Sequence, residues 1–403
     1  MTVHAPRFAG RAQGAAGRFS GLPRYHFVGG NNDAGALPVE ALAAAAAEAM
    51  REEGAGLAMY NAGGSPLGHA GLRGVVAETL LARAGIAADP DEVLIVSGSL
   101  QALDLVNGAL LEAGDRVFCE MQTYGGALGR IRAFGAEPVG IETDGEGLRP
   151  DALRAALAEG GAKPKYLYLI PTVQNPTGTI MPEARRREIL AIAAEHDLTV
   201  FEDDCYADLV FGGAARPPAL RGLDDSGRVI YCGSFSKSVA PGLRVGFLTA
   251  DWPVLSRLLP LKVDAGTGAV EQMLLARFAK GRFDGHVAQL NAALEAKAEA
   301  MMEAVDREFG ATAEYRRPEG GIFLWVTLPE AVDTSKLAAA AAAEGVAINP
   351  GAEWCASAEA GRRSLRLCFA NPSVEDIHAG VAVLAETCRR EFGVPERSAN
   401  VAG

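Results

Sequence analysis

The chain has 403 residues, 49% of them hydrophobic and 22% charged, and a formal charge of −12. This is the composition of a soluble globular protein with a sizeable core and room for about two to three domains. So acidic a surface excludes nucleic acid and anionic membranes as partners, because both would be repelled, while local cations and backbone amides can still hold an anionic cofactor.

The N-terminal segment MTVHAPRFAGRAQGAAGRFSG has no apolar centre, so it is not read as a secretory signal. The first ~25 residues are expected to form an irregular arm, and no later apolar run approaches the ~20 residues of a membrane span. Pro38–Arg51 is alanine-rich and opens at a proline, the pattern of a helix start. From about residue 90 to 250 short apolar runs alternate with helical ones. Strands are expected at Val93–Val96, Arg116–Cys119, Tyr166–Ile170, Thr199–Glu202, Val229–Cys232 and Val245–Leu248, with helices at Gln101–Leu111 and Pro182–His196. Near-continuously apolar strands separated by helices predict an α/β domain, a mostly parallel sheet covered by helices on both faces.

After about Trp252 the pattern changes. Helical runs at Val270–Lys280 and Asp284–Phe309 precede strands near Ile322–Leu328, Val346–Ile348 and Leu365–Phe369, and a closing helix at Val374–Arg390. This predicts a smaller α+β domain. The large domain is placed at residues 50–270, and the small one at 271–403 together with the arm, 1–49. The tail after about Gly393 is expected to fray. The six cysteines (Cys119, Cys205, Cys232, Cys355, Cys368, Cys388) show no C-x-x-C spacing and fit buried thiols of a reduced cytoplasm. The six histidines show no metal spacing, so no metal is expected.

Chemistry-bearing residues follow the predicted strands, where open α/β sheets bind ligands. Ser97-Gly98-Ser99-Leu100-Gln101 offers small residues at a helix start, which suits a phosphate but, taken alone, reads more simply as an ordinary cap. Tyr124, beside Gly125-Gly126, suits stacking on a flat ring or burial in the core. Pro171-Thr172-Val173-Gln174-Asn175-Pro176-Thr177-Gly178 is stiffer than a plain turn requires and would hold the Asn175 amide in place. Phe201-Glu202-Asp203-Asp204-Cys205-Tyr206 ends a buried strand in carboxylates, and a buried carboxylate needs a cationic partner. Asp203 is the one assigned to such a partner, for which a pyridinium nitrogen would serve, with Tyr206 in reach of an oxygen substituent on that ring, while Asp204 is read as a solvated loop acid. Ser234-Phe235-Ser236-Lys237-Ser238 surrounds an amine with hydroxyls and small residues, and Arg244 follows seven residues later. A lysine that condenses with an aldehyde needs that room and a nearby cation for a phosphate.

Taken in order, these motifs resemble the class I/II aminotransferases of fold type I, over roughly residues 25–390. The closest look is to the 2-aminoadipate and broad-specificity members. The resemblance implies a cytoplasmic, homodimeric transferase of amino-acid metabolism that uses pyridoxal 5'-phosphate and moves an amino group between an L-amino acid and a 2-oxo acid by a ping-pong mechanism. It implies that Lys237 forms the Schiff base, that Asp203 pairs with the ring nitrogen, and that Asn175 and Tyr206 bond the phenolic oxygen. Tyr124 would stack on the ring, and Ser99, Leu100, Gln101, Ser234, Ser236 and Arg244 would hold the phosphate. Arg366, with Gly29, Gly30 and Asn175, would meet the substrate carboxylate, and Tyr60 would reach the phosphate of a partner subunit. Two segments depart from the family pattern: Gly29-Gly30-Asn31-Asn32-Asp33, which lacks the usual Gly-x-Pro, and the longer stretch between Tyr60 and Leu72. Arg18, Arg24 and Lys262 are candidates for a distal carboxylate but read more simply as surface cations, and His69 reads as structural. The same machinery serves lyases, racemases and decarboxylases. A regulator using this domain as an effector sensor is a reading of another class, which the −12 charge disfavours, and a nicotinamide dehydrogenase lacks its G-x-G-x-x-G.

Overall fold

The computed structural model describes Arg7, Arg18, residues 21–212 and residues 216–395. Most of the expected irregular arm, and the tail beyond residue 395, lie outside the described residues.

Seven strands form the central sheet, in the order Val93–Val96, Gly246–Thr249, Val229–Ser234, Thr199–Asp203, Tyr166–Leu169, Arg116–Glu120, Glu137–Ile141. All neighbours pair in parallel except Gly246–Thr249, which runs antiparallel to both of its own. That reversal starts this strand at the edge where the parallel ones finish, so Arg244 enters the same rim as Asp203. Successive side chains point to opposite faces. Val117 and Cys119 join Leu94, Val96 and Phe201 under helix Ser99–Leu110, while Phe118 joins Leu167, Val200 and Ile189 on the other side. The expected α/β layering follows from this two-sided burial.

Glu137–Ile141 was not expected as a strand. It carries Pro138 and Gly140, which weaken a ladder, and it survives because it is one of the two edge strands of the sheet.

The two helical runs expected after residue 270 are continuous in space as Ala269–Phe309, broken at Lys280 (ψ 88°) and Gly281 (φ 91°), where only glycine turns without strain. A four-stranded antiparallel sheet follows, ordered Glu314–Tyr315, Phe323–Thr327, Ser364–Cys368, Asn349–Pro350. Tyr25–His26 pairs in parallel with Val346–Ala347, and the Cys368 amide donates to Phe27 O at 2.8 Å. Through these contacts the end of the arm joins the smaller layer, whose core packs Phe27, Phe369, Leu324 and Ile377 against the long helix.

Candidate active site

Between the two layers lies a cavity of about 480 Å³, within the usual range for small-molecule sites. Its floor is the rim of the central sheet. Lys237 sits on the short helix Phe235–Ser238, which opens at Ser234, whose hydroxyl accepts from the Ser236 amide at 3.1 Å. The Lys237 ammonium donates to Gly30 O at 2.6 Å, and burial pushes its pKa below the usual lysine range. Asn32 donates to the carbonyl of Lys237 at 3.2 Å, and Asp33 ion-pairs with Lys297 at 2.6 Å. The segment that departs from the family pattern therefore ties the arm to the lysine.

Asp203 ends its strand buried at the floor of the cavity. Its Oδ2 accepts from Tyr168 OH at 2.6 Å, its Oδ1 has no partner, and burial pushes its carboxyl up. Asn175 donates to Tyr206 OH at 3.5 Å and accepts from Arg366 Nη1 at 3.0 Å. Arg366 also donates to Gly29 O at 3.1 Å and Asn349 Oδ1 at 2.8 Å. All these acceptors are neutral, and no described carboxylate lies within ion-pair distance of Arg366.

At the other end, helix Ser99–Leu110 starts without a side-chain cap; the Gln101 amide bonds Gly98 O at 3.0 Å, and the uncapped Ser99 and Leu100 line the cavity. Gly98 precedes it at φ +83°, and a Cβ there would overlap the Arg244 guanidinium. Arg244 bonds Ser97 O and Pro241 O at 3.3 Å.

The sequence-predicted residues Gly29, Gly30, Ser99, Leu100, Tyr124, Asn175, Asp203, Tyr206, Ser234, Ser236, Lys237, Arg244 and Arg366 all line this one cavity. Gln101 and Tyr60 do not. Gln101 accepts from the Ser97 amide and donates to Asp264, each at 2.7 Å, so it braces the turn from behind. Tyr60 lies on the surface, 80% exposed.

Asp204 corrects an expectation. It is buried, not solvated, ion-paired with Arg216 and accepting from Tyr231 OH at 2.9 Å. Arg216 lies 12 residues along the chain from Asp204, so sequence adjacency gave no hint of the pairing. His69 is buried, bonded to Glu53 at 2.7 Å, and caps helix Ala70–Val75. Lys262 pairs with Asp264 at 2.6 Å, and Arg24 lies over the Tyr25 ring. Neither of these cations lines the cavity.

Sequence reasoning missed Trp354, Phe323, Asn349 and Cys205, which line the same space. Cys205 was visible within the Asp203–Tyr206 motif. The others come from the smaller layer, where the one signal was an aromatic three residues after Pro350-Gly351.

The sequence model described as aminotransferase class I and II matches residues 28–384. The chain belongs to this family. The 2-aminoadipate transaminase of Thermus thermophilus is 38% identical over 368 residues, 90% of this chain and 89% of its own. Aromatic-amino-acid aminotransferase 1 of Thermococcus litoralis is 34% identical over 88% of this chain and 86% of its own. The crystal structure of α-aminoadipate aminotransferase from Thermus thermophilus, complexed with N-(5'-phosphopyridoxyl)-L-leucine, superposes with a TM-score of 0.84. It is 37% identical, over 92% of this chain and 93% of that one. The protein is a pyridoxal-phosphate-dependent aminotransferase of fold type I, acting between amino acids and 2-oxo acids.

The residues of the cavity fit that cofactor. An unpartnered buried carboxylate oxygen at Asp203 suits a cationic ring N–H, an uncapped helix start beside Arg244 suits a phosphate, and a buried amine suits an aldehyde.

Proposed function

We propose that Lys237, Asp203 and Tyr206 perform the transamination, and that the observation carrying this assignment is the placement, in one cavity, of a buried amine and a buried carboxylate with one oxygen unpartnered. Ser99, the Leu100 amide, Ser234, Ser236 and Arg244 would hold the phosphate of pyridoxal phosphate. Asp203 would hold the ring nitrogen, Asn175 and Tyr206 the phenolic oxygen, and Tyr124 the ring face. When bound, this cofactor supplies an electron sink for the negative charge that develops at the substrate α-carbon.

The chain's own residues do the rest. Arg366, whose partners are all neutral, offers its charge to the substrate carboxylate, and a guanidinium suits a carboxylate better than an ammonium does. Gly29 and Gly30 close over the same place. Lys237 Nζ takes the α-proton, and burial favours its neutral form, the form a base needs. Amino donor and 2-oxo acid acceptor are read to occupy this one carboxylate site in turn, the ping-pong order.

We read the active unit as a homodimer in which Tyr60 reaches the partner's phosphate. The exposure of Tyr60, Met59 and Val263 supports this, since three large apolar side chains left in water suit a covered face. Free cysteines, five of the six buried, support a reducing, cytoplasmic setting. The domain division is proposed near residues 50 and 270.

The assignment is tested by borohydride reduction of the cofactor-loaded protein followed by peptide mapping. The expected label falls on Lys237, and a label elsewhere overturns the assignment. Product formation that requires a 2-oxo acid acceptor, with no ammonia released in its absence, separates transamination from lyase chemistry.

A further inference from the structure

Arg366 is held by more than its hydrogen bonds. Its guanidinium carbon lies 3.4 Å from the centre of the Trp354 ring and 3.7 Å from that of Phe323, so the cation sits between two aromatic faces. Stacking of this kind stabilises a desolvated charge through the faces of the guanidinium and leaves its in-plane N–H groups to hydrogen bonds, three of which go to the neutral acceptors Asn175, Gly29 O and Asn349. Arg366 Nε has no partner in that plane.

Trp354 is itself rigidly placed. Its carbonyl accepts from the Thr123 amide at 2.9 Å, and its ring lies 5.7 Å from that of Tyr124. The preceding carbonyl, of Glu353, is so close to Gly125 that a Cβ there would overlap it. One side chain thus spans from the loop of the central sheet that carries Tyr124 to the small-sheet strand that carries Arg366.

We propose that Trp354 is a positioning residue for the reaction, fixing the plane of Arg366 and thereby the place of the substrate carboxylate. This rests on the reading of Arg366 as the carboxylate site. Trp354 acts through the arginine, so its loss weakens binding of the carboxylate and leaves amine chemistry alone.

The test uses the cofactor-loaded enzyme and its variants Trp354→Leu, Trp354→Phe and Arg366→Leu. The dissociation constant of 4-methylpentanoate, a carboxylate without an amine, is measured by titration calorimetry. In parallel, KM and kcat are compared for the best L-amino acid and for the amine formed by removing its carboxylate. Trp354→Leu is expected to weaken the carboxylate about 10- to 30-fold. It should raise KM for the amino acid with little change in kcat, and leave the amine unaffected. Trp354→Phe, which keeps a π face, should recover most of the binding.

If Arg366→Leu abolishes carboxylate binding while Trp354→Leu matches the parent, the role of Trp354 is overturned and that of Arg366 stands. Unchanged binding in Arg366→Leu overturns the reading of Arg366, and the inference with it. Equal losses for amino acid and amine in Trp354→Leu reduce Trp354 to packing and overturn the proposal. Should that variant fail to fold, 5-fluorotryptophan incorporated into a protein whose other two tryptophans carry Trp252→Phe and Trp325→Phe withdraws charge from the Trp354 ring face without changing its shape. Weaker carboxylate binding is then expected, and unchanged binding overturns the proposal.

Discussion

Lys237 Nζ donates to Gly30 O at 2.6 Å, and a Cβ on Gly30 would stand 2.5 Å from that same nitrogen. The arm and the lysine are in van der Waals contact, and only the absence of a side chain permits it. Gly30 does not have a positive φ, so an alanine there meets no backbone strain. It meets the tip of a flexible lysine, which can move.

Gly30→Ala is therefore expected to leave the thermal midpoint nearly unchanged while displacing the amine. Displacement of a reacting group by about 1 Å costs rate on the order of 100-fold. A steady-state assay beside a thermal melt checks this, and a large loss of stability with normal turnover would contradict it.

Gly98→Ala differs from it in kind. Gly98 has φ +83°, where an L side chain is strained, and its Cβ would strike the guanidinium of Arg244. Both effects fall on the cradle assigned to the phosphate. The dissociation constant for pyridoxal phosphate should rise about 10-fold or more, the worth of one charge-assisted hydrogen bond. Equilibrium binding to the cofactor-free protein measures it.

Asp203→Asn preserves shape and the contact with Tyr168 but removes the charge that would match a cationic ring nitrogen. Cofactor binding should survive. The rate should fall on the order of 100- to 1,000-fold, as when one charge-stabilising group is taken from a closed site. Single-turnover absorbance of the loaded variant reads both quantities, and a loss under about threefold would remove Asp203 from its assigned role.

Glu120 carries a stability prediction. It is sealed beneath the loop that holds Asn175, accepting from the Ile170 amide at 2.9 Å and from Gln174 at 3.4 Å, with Oε1 unpartnered. Burial pushes its carboxyl from 4.5 up to about 8. Between those values the folded chain keeps a proton that the unfolded chain has released. The stabilising contribution is thus full below about pH 4.5 and is lost as the pH rises through about 8. Glu120→Gln, neutral at every pH, should flatten that decline and exceed the parent in stability at pH 8, by on the order of a few kcal/mol. Urea unfolding at about pH 5 and about pH 8 tests this, and parallel pH dependence in parent and variant would refute it.

The strands were legible because their signals are local. Val93–Val96 is an unbroken β-branched and leucine run, and Tyr166–Leu169 is apolar throughout, as strands buried on both faces are. Glu137–Ile141 was hidden because its proline and glycine speak against a strand, and only its place at the sheet edge reconciles them. Asp204 was misread for a related reason: its partner Arg216 becomes adjacent only when the chain folds.

Residue order alone determined which segments are assigned to the cofactor. The lysine, the aspartate, the asparagine turn and the arginine after the lysine each belong to a short segment, and a central strand delivers each segment to one rim. What stands at the substrate end was decided by tertiary structure. Trp354 lies on a turn and Phe323 on a strand of the smaller layer, and Tyr124 belongs to the other layer. Nothing in the spacing of these three announces that two of them enclose one arginine and that the third lies against the tryptophan ring. Stacking depends on distances of a few ångströms between segments far apart in the chain, and those distances exist only once the two layers have packed.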